Sequence, residues 1–476
     1  MEYISTRGDV TPHSFTEIFF SAHAPDGGLW IPKRFPKVSS AQLLSWQGLD
    51  YASLAFEIFH LFAPELPRRE LWRLCQKVYS DEIFTSQRNI FRSQQITPLH
   101  YLHDRVCLLE LTNGPSLSFD DISMQFLAAF TRRFIPEEKR PDVLLGATSG
   151  DMGTAAEIAF AEFEGMDLVL VSPHQRMSFV QAAMLYGPKY SNVEHVVVEG
   201  SFDHCQKMVT DILKDQDFVR KHKLGALNNT LWSRIVAQVV YYFYGYFRAI
   251  EKMGEEVVYC VPAGNFGNAF AGWVAKRMGL PILMLRVATN ENDCFDRFVR
   301  TGRYQPRSAT ETLKTSSPST DISRAANLER FLYEVLGCDG QRVLRLMTRL
   351  DTEGGFRLTR RELATMNESI ISSGSSNHSN RLEIIEATHL MDNVYIDPHT
   401  ADAMFVGTYL RPVGVKTIVL ETVHPVKFPA LIKQVTGHEP PLPRGFVLPH
   451  FNPEFITPMD IQEDGLRQIL SRYGAD

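Results

Sequence analysis

The chain of 476 residues is 44% hydrophobic and 22% charged, and its formal net charge is −6. This composition is ordinary for a globular protein, and the length is sufficient for two or three domains. The charges are scattered without a basic stripe, and no apolar run approaches the roughly 18 residues that cross a bilayer, so neither a nucleic acid nor a membrane is expected as a partner.

Residues 1–95 predict a small, mainly helical N-terminal domain. Pro and Gly loops such as HAPDGGLWIPKRFP come first, and the helical patterns YASLAFEIFHLFAPEL and RRELWRLCQKVYS follow them. The polar stretch from Ser93 to Thr97 marks the expected boundary.

Beyond this boundary the chain alternates strands with helices. Buried strands are predicted, in order, within the segments PDVLLGATSG, MDLVLVSP, VEHVVVEG, EEVVYCVPAG, PILMLRVAT and VKTIVLET. Helices are predicted directly after GATSGDMG and after GNFGN. This alternation predicts an α/β protein with parallel sheets wrapped by helices on both faces. The polar segment SSGSSNHS, from Ser372 to Ser379, is predicted to be a surface loop.

The six cysteines are far apart, and none forms a CxxC pair: Cys75, Cys107, Cys205, Cys260, Cys294 and Cys338. This spacing is typical of reduced thiols and not of a disulfide framework or a zinc site. The first residues, MEYISTRGDV, lack the basic and apolar segments of a secretory signal. We therefore expect a cytoplasmic protein without a metal site.

The segment GATSGDMGTAA predicts a glycine loop that leads from a strand into a helix. Glycines allow the backbone to approach a ligand, and the N–H groups at the start of a helix favour an anion. Thr148, Ser149 and Thr154 add hydroxyl donors, so the loop suits a phosphate. Plain turn chemistry is the alternative explanation for these residues.

A second loop of the same kind, from Gly264 to Asn268, follows the strand VVYCVPA. Two such loops at one sheet indicate a doubly anionic site that would fit a cofactor phosphate together with a substrate anion. The alternative is a pair of turns that need glycine for their backbone angles.

Many segments of the chain resemble those of threonine synthase, and they occur in the same order. GPSLSFDD resembles the family's GPTLAFKD, TSGDMGTAA resembles TSGDTGSAA, and VPAGNFGN resembles VPSGNFGN. Further matching segments are YISTRG, APDGGLWIP, LNNTLWSRIVAQ, FVRTGRY, SSPSTDIS, DPHTA and TVHPVKFP. So many matches in one order identify the chain as similar to this family over nearly its whole length, and vertebrate threonine-synthase-like proteins share the layout.

The resemblance implies the fold-type II architecture of pyridoxal-phosphate (PLP) enzymes, similar to the tryptophan synthase β chain. It implies an N-terminal domain at 1–95, a large cofactor domain at 96–125 and 251–430, a smaller, partly nested domain at 126–250, and a C-terminal segment at 431–476. The family acts in amino-acid metabolism: its usual reaction removes the γ-phosphate of O-phosphohomoserine and adds water at Cβ to give threonine.

The resemblance also implies the roles of single residues. The cofactor phosphate would be held by Gly264, Asn265, Phe266, Gly267 and Asn268. Thr422 would face the pyridine nitrogen. The substrate, an amino acid or phospho-amino acid, would be approached by Ser116, Thr148, Ser149, Gly150, Asp151 and Arg234.

The chain departs from the family at the position of the cofactor-anchoring lysine, which is Asp120. That lysine forms an imine with the cofactor and then moves protons, whereas a carboxylate cannot form an imine. Asp120 could still act as a general base if burial raised its pKa, and the neighbouring Asp121 would favour this if both side chains faced one site.

Other departures lie in the same motifs: Asn113, Met152, Leu231, Ala263 and Glu421 replace the family's residues. Together they remove polar groups from the expected substrate side, while the loop for the cofactor phosphate stays intact. Of the lysines in or beside the motifs, Lys427 belongs to the family pattern and Lys276 is expected to be solvated. Lys314 is the one candidate for a substitute anchor.

Four functions are compatible with this pattern. The preferred one is an enzyme that binds PLP non-covalently and performs altered elimination or replacement (lyase-type) chemistry on an amino acid. A pseudoenzyme with a binding or regulatory role is the first alternative. The others are a PLP-independent enzyme that uses Asp120 and Asp121 as catalytic residues, and an ordinary threonine synthase, which Asp120 disfavours.

Overall fold

The computed structural model describes residues 1–85, 96–408 and 412–473. The expected domain boundary near Ser93 therefore lies largely outside the described residues. The strands are β1 (Tyr3–Ser5), β2 (Trp30–Pro32), β3 (Leu99–Tyr101), β4 (Val106–Glu110), β5 (Val143–Ala147), β6 (Asp167–Pro173), β7 (Val193–Val198), β8 (Leu224–Ala226), β9 (Val257–Pro262), β10 (Ile282–Thr289), β11 (Arg303–Tyr304), β12 (Phe356–Arg357), β13 (Ile371–Ser375), β14 (Lys416–Glu421) and β15 (Ile456–Met459).

The helices alternate with these strands after the N-terminal region. They are α1 (Ser40–Trp46), α2 (Tyr51–Phe62), α3 (Arg68–Val78), α4 (Asp120–Phe134), α5 (Asp151–Phe160), α6 (Phe179–Tyr186), α7 (Phe202–Lys214), α8 (Gln216–Lys221), α9 (Trp232–Ala249), α10 (Gly267–Met278), α11 (Cys294–Thr301), α12 (Leu328–Val335), α13 (Gly340–Glu353), α14 (Arg360–Asn367), α15 (His378–Asp392), α16 (Pro398–Thr408), α17 (Pro429–Thr436) and α18 (Glu463–Leu470). Within the described ranges, no helix is both long and apolar enough to span a membrane.

The larger sheet has the strand order β13-β10-β9-β14-β4-β3, and all neighbouring strands are parallel except the edge pair β3 and β4. The smaller sheet has the order β15-β7-β6-β5-β8, and every pair in it is parallel. Parallel strands covered on both faces are apolar along their whole length, and β9 accordingly is buried at every residue. The predicted α/β architecture with parallel sheets is confirmed.

The N-terminal region consists of the antiparallel pair β1 and β2 followed by α1, α2 and α3. Its helices pack on the larger domain mainly through α2 and α9. α9 is apolar nearly all round and has Arg248 as its one residue that is not buried. A helix of this kind belongs in the centre of a large core, and α9 also packs against α4 and α10.

One prediction about the fold is wrong. The first four residues of the polar segment, from Ser372 to Ser375, belong to β13, which pairs in parallel with β10 at the edge of the larger sheet. The strand pattern is weak there because Ser and Gly carry little β preference, and pairing with β10 supplies the hydrogen bonds that the side chains do not predict. The remainder of the segment begins α15, with Asn377 as its N-cap.

The carboxyl ends of the parallel strands bring the motif segments to one region. β9 leads through Ala263–Phe266 into α10, β14 ends next to Thr422, and β5 leads through the loop at 148–150 into α5. Crevices at the carboxyl ends of strands are where ligands bind in open α/β sheets. Both predicted glycine loops thus lie between a strand and a helix, as expected.

Candidate functional site

A cavity of about 100 Å³ lies between the two sheets and is lined by both glycine loops. The segment from Gly264 to Asn268 forms one wall, and Thr148, Ser149 and Asp151 contribute from the chain that follows β5 of the smaller sheet. Asp120 and Thr422 also line it. The structure therefore brings most of the predicted cofactor and substrate residues to one place.

The loop that precedes α10 has the features of a phosphate site. Phe266, the N-cap residue, has a left-handed backbone with φ of 61°. A Cβ at Gly264 would meet Ile322 Cδ1 at 2.6 Å, so a side chain at this position would have to displace Ile322. The N-terminus of α10 then directs its positive end toward the cavity wall.

The amide of Asn268 is oriented by two tyrosines. The hydroxyl groups of Tyr241 and Tyr242 contact Asn268 Oδ1 at 2.6 and 2.9 Å. The amide nitrogen Nδ2 is consequently left as a donor, and it is buried without a partner among the described residues. Asn265 Oδ1 is buried and unpartnered in the same way. Unpaired buried polar groups are costly, so these atoms fit a site that a ligand completes, and Nδ2 fits a phosphate oxygen.

Asp151 is the polar centre of the other loop. Its carboxylate accepts hydrogen bonds from Lys427 Nζ (2.6 Å), Ser319 Oγ (2.7 Å) and Gln181 Nε2 (2.9 Å). Burial works to raise the pKa of Asp151, but the charge of Lys427 and these hydrogen bonds lower it below its usual value. Asp151 is thus an anion held in a buried ion pair that links the smaller domain to the chain around β14.

Other residues of this loop stabilise its turn through hydrogen bonds within the loop and into α5. Gly150, with φ of 126°, is the N-cap of α5. Thr148 Oγ1 accepts the N–H groups of Gly150 (3.0 Å) and Gly153 (2.8 Å), so its oxygen is used within the loop. Ser149 lines the cavity.

Asp120 is the first residue of α4 and forms a buried ion pair with Arg234 of α9. The preceding residue, Phe119, donates its N–H to the carbonyl of Thr422 at 2.9 Å, which fixes the start of the helix beside β14. Arg234 is 1% exposed and also donates to Asn229 Oδ1 at 2.5 Å and to Ser123 Oγ at 3.2 Å. The predicted substrate residue Arg234 therefore lies behind Asp120.

The pKa of Asp120 is raised above its usual value. Burial is the main cause; the charge of Arg234 opposes it, and the nearby carboxylate of Asp151 adds to it. Asp151 is therefore a like-charge neighbour of Asp120 that the sequence did not indicate, and Asp120 in turn adds to the raised pKa of Asp121.

Asp121 points away from the cavity. Its carboxylate accepts the N–H of Ser116 at 2.9 Å and lies against Gly114, where an added Cβ would meet Asp121 Oδ2 at 2.4 Å. Consecutive residues of a helix do not share a face, so Asp120 and Asp121 diverge. The structure brings neither Asp121 nor Ser116 into the cavity wall. Burial raises the pKa of Asp121 to about 7.

Some of the other residues that depart from the family pattern line the cavity, and others do not. Met152 and Ala263 line the cavity. Leu231 is fully buried at the start of α9 and is not part of the cavity wall. The expected loss of polar groups near the substrate is therefore located at Met152 and Ala263.

The candidate lysines are all outside the wall of this cavity. Lys314 is held at the surface, where Nζ donates to the carbonyl of Gln175 at 2.8 Å. Lys276 lies in the last turn of α10, and Lys427 is bound to Asp151.

Sequence reasoning did not assign Ser319, His399 or Gln238, which also line the cavity. Ser319 donates its N–H to His399 Nε2 at 3.0 Å, and His399 Nδ1 lies 2.7 Å from Asp397 Oδ1. Ser319 and His399 lie in the segments SSPSTDIS and DPHTA, so the motif matches were the available signal. Gln238 lies on the apolar helix α9, and only its polarity in that setting could have indicated it.

Comparison with known proteins supports one family. Residues 2–79 match the model for the threonine synthase N terminus, and residues 90–359 match that for pyridoxal-phosphate dependent enzymes. Threonine synthase of Methylobacillus glycogenes is 42% identical over 99% of this chain and 100% of its own length. That of Corynebacterium glutamicum is 38% identical over 99% of this chain and 98% of its own length.

A solved structure agrees with these sequence matches. The PLP-bound threonine synthase from Brucella melitensis superposes with a TM-score of 0.88 at 32% identity, covering 100% of both chains. The fold-type II architecture with its N-terminal domain is thereby confirmed. Since the sequence matches span nearly the entire chain in full-length relatives, this protein belongs to the threonine synthase family of pyridoxal-phosphate-dependent enzymes.

Proposed function

We propose that the protein binds pyridoxal phosphate non-covalently and performs altered elimination or replacement (lyase-type) chemistry on an amino acid, which can be O-phosphorylated. The observation that carries this proposal is the buried, unpartnered Nδ2 of Asn268 in the first turn of α10. An unpaired donor beside a cavity that Asp120 also lines supports a cofactor site whose phosphate-binding part is intact. The position expected to carry the reactive lysine is then Asp120.

The chain's own residues suit a cofactor that is held without a covalent bond. Gly264–Asn268 would hold the phosphate, and Thr422 would meet the pyridine nitrogen with a neutral hydroxyl. When bound, pyridoxal phosphate supplies an electron sink for carbanions. Backbone N–H groups and the Asn268 amide bind phosphate through hydrogen bonds, and these do not depend on a lysine at position 120.

The substrate side would be formed by Ser149 and by the ion pair of Asp151 with Lys427. Lys427 Nζ lies 2.6 Å from Asp151 Oδ1 and is 1% exposed, so the two charges orient each other in a dry environment. Met152 puts a thioether where the family has a hydroxyl, so we expect that the phosphate of O-phosphohomoserine is bound more weakly than in the family. This is the reason to propose altered chemistry and not ordinary threonine synthesis.

Asp120 would not anchor the cofactor, because a carboxylate cannot form an imine, and its ion pair with Arg234 weakens it as a base. The same ion pair favours a second candidate, a pseudoenzyme in which the cavity serves binding or regulation. A PLP-independent mechanism through Asp120 and Asp121 has less support, because Asp121 bonds to Ser116 outside the cavity.

The absorbance spectrum of the purified protein with added pyridoxal phosphate, before and after addition of amino acids, tests the proposal. We expect binding that dialysis reverses, no borohydride-stable adduct, and a shifted cofactor band once a suitable amino acid is present. Binding without a response to any amino acid would favour the pseudoenzyme. Absence of binding in a folded sample would overturn the proposal.

A further inference from the structure

One carboxylate oxygen of Asp120 accepts a hydrogen bond from the described part of the protein, and the other does not. Oδ1 accepts from Arg234 Nη2. No hydrogen bond to Oδ2 is present in the described part of the chain, and Asp120 lines the cavity. A carboxylate is purely an acceptor, so Oδ2 can be satisfied only by a donor.

The cations near this oxygen are already engaged. Asp120 Oδ1 pairs with Arg234, and Asp151 pairs with Lys427. Arg234 is also engaged by Asn229 and Ser123, so its guanidinium is fixed behind Asp120. A donor for Oδ2 would therefore come from a ligand or from water.

Asp120 and the loop expected to hold the phosphate border one cavity. Asn268 and Asp120 are both among its lining residues. A ligand with its phosphate at Asn268 would therefore have its remaining atoms in the cavity that Asp120 lines. The best complement is a phosphate at one end and a group that is cationic and donates hydrogen bonds at the other.

We propose that the site selects the amine form of the cofactor, pyridoxamine 5′-phosphate, over the aldehyde form, with Asp120 as the acceptor for the 4′-ammonium. This inference rests on the proposed function, since it assumes that the phosphate lies at Gly264–Asn268. An aldehyde oxygen is an acceptor and repels a carboxylate, whereas an ammonium offers three donors and a positive charge.

Selection of the amine form is compatible with the proposed chemistry. The amine form condenses with a 2-oxo acid, and the aldehyde form condenses with an amino acid, each with loss of one water. The two products are tautomers of one adduct. A resting protein that holds the amine form would thus enter the same chemistry from a 2-oxo acid.

Titration calorimetry of the full-length protein with three ligands tests the inference: pyridoxamine 5′-phosphate, pyridoxal 5′-phosphate, and pyridoxine 5′-phosphate. The last is a close steric match to the amine but carries a neutral hydroxyl. We expect the amine to bind at least about tenfold more tightly than pyridoxine 5′-phosphate, which corresponds to ~1.4 kcal/mol. The wild-type comparison requires no variant and therefore does not depend on how a variant folds.

Two matched variants assign the effect to a residue. Asp120→Asn should reduce the ratio of the amine and pyridoxine affinities to about one, because the charge that selects the ammonium is gone. Asp121→Asn makes the same side-chain change one residue away, outside the cavity, and should leave the ratio unchanged. Asn268→Ala should weaken all three ligands alike.

The outcomes separate this inference from the proposed function. If pyridoxine or pyridoxal 5′-phosphate binds wild-type protein as tightly as the amine, the selectivity is refuted and the phosphate site stands. If none of the three binds to folded protein, both are refuted. A ratio that persists in Asp120→Asn would also overturn the role of Asp120.

Discussion

Arg234 and Asp120 form an ion pair at the position where the rest of the family is expected to carry the lysine that holds the cofactor. Both side chains are buried, and Arg234 is fixed by Asn229 as well. Burying two charges is costly unless they pair well, so Arg234 compensates for the buried carboxylate of Asp120.

Removal of both side-chain amides in the loop before α10 should weaken phosphate binding. Asn265→Ala with Asn268→Ala is expected to cost ~1–3 kcal/mol in the binding of pyridoxal phosphate or inorganic phosphate, the usual penalty for lost hydrogen bonds to a charged group. Titration calorimetry of the double variant and the wild type measures this loss of binding free energy. Asn393→Ala, at the C-cap of α15, is a control with a surface asparagine. Equal affinity in the double variant and the wild type would contradict the assignment.

Asp120→Lys should create a covalent anchor. The hydrogen bond of Phe119 to Thr422 fixes the backbone beside the cavity, so a lysine at 120 would start from its wall. Mass spectrometry after borohydride reduction with pyridoxal phosphate should locate the adduct at residue 120. Asp121→Lys, one residue along the helix, is the control that should give none.

The same variant leaves Arg234 without its anionic partner. Loss of one member of a buried ion pair costs about 3–5 kcal/mol, so Asp120→Lys is expected to unfold at lower denaturant concentration when the cofactor is absent. Protein that is folded by circular dichroism yet neither binds pyridoxal phosphate nor gives an adduct would show that the cofactor site is lost.

The periodicity of the sequence was sufficient for β5, β6, β7, β9, β10 and β14 and for the two glycine loops, because β-branched runs such as VVYCVP have few alternatives in a buried sheet. It failed at β13, where Ser and Gly form a strand only because β10 lies alongside. Motif comparison identified Asp120, but the directions of the Asp120 and Asp121 side chains depend on where helix α4 begins. The sequence analysis did not predict that α4 begins at Asp120, and the turn of this helix points the two side chains in different directions.

The contacts of Asp151 were also beyond the reach of sequence reasoning. Lys427 is 276 positions away, and Ser319 is 168 positions away. Each residue belongs to a recognised segment, yet only the packing of the two sheets brings them together. The polar centre of the site is therefore a product of tertiary structure.

Met152 and Leu231 should respond differently when they are changed to the residues of the family. Met152 lines the cavity, so Met152→Thr in the Asp120→Lys background is expected to improve turnover of O-phosphohomoserine. Leu231 is fully buried away from the cavity, so Leu231→Asn would bury an amide and is expected to lower the free energy of unfolding by ~1–3 kcal/mol unless it finds partners. Phosphate release and denaturant unfolding measure the two effects. Improved turnover from Leu231→Asn alone would contradict this division.

Asp121 should make stability depend on pH in a predictable direction. Burial raises its pKa from 3.8 to about 7 in the folded protein. Between these values the folded state holds a proton that the unfolded state has released, so the free energy of unfolding falls as the pH rises through this window, by up to ~1.4 kcal/mol per pH unit. Asp121→Asn keeps an oxygen that can accept the N–H of Ser116 and removes the titration. Urea unfolding of both proteins between pH 5 and pH 8 should give a difference, variant minus wild type, that increases up to about pH 7 and then levels off. A difference that stays constant with pH would mean that Asp121 is ionised in the folded protein across the range.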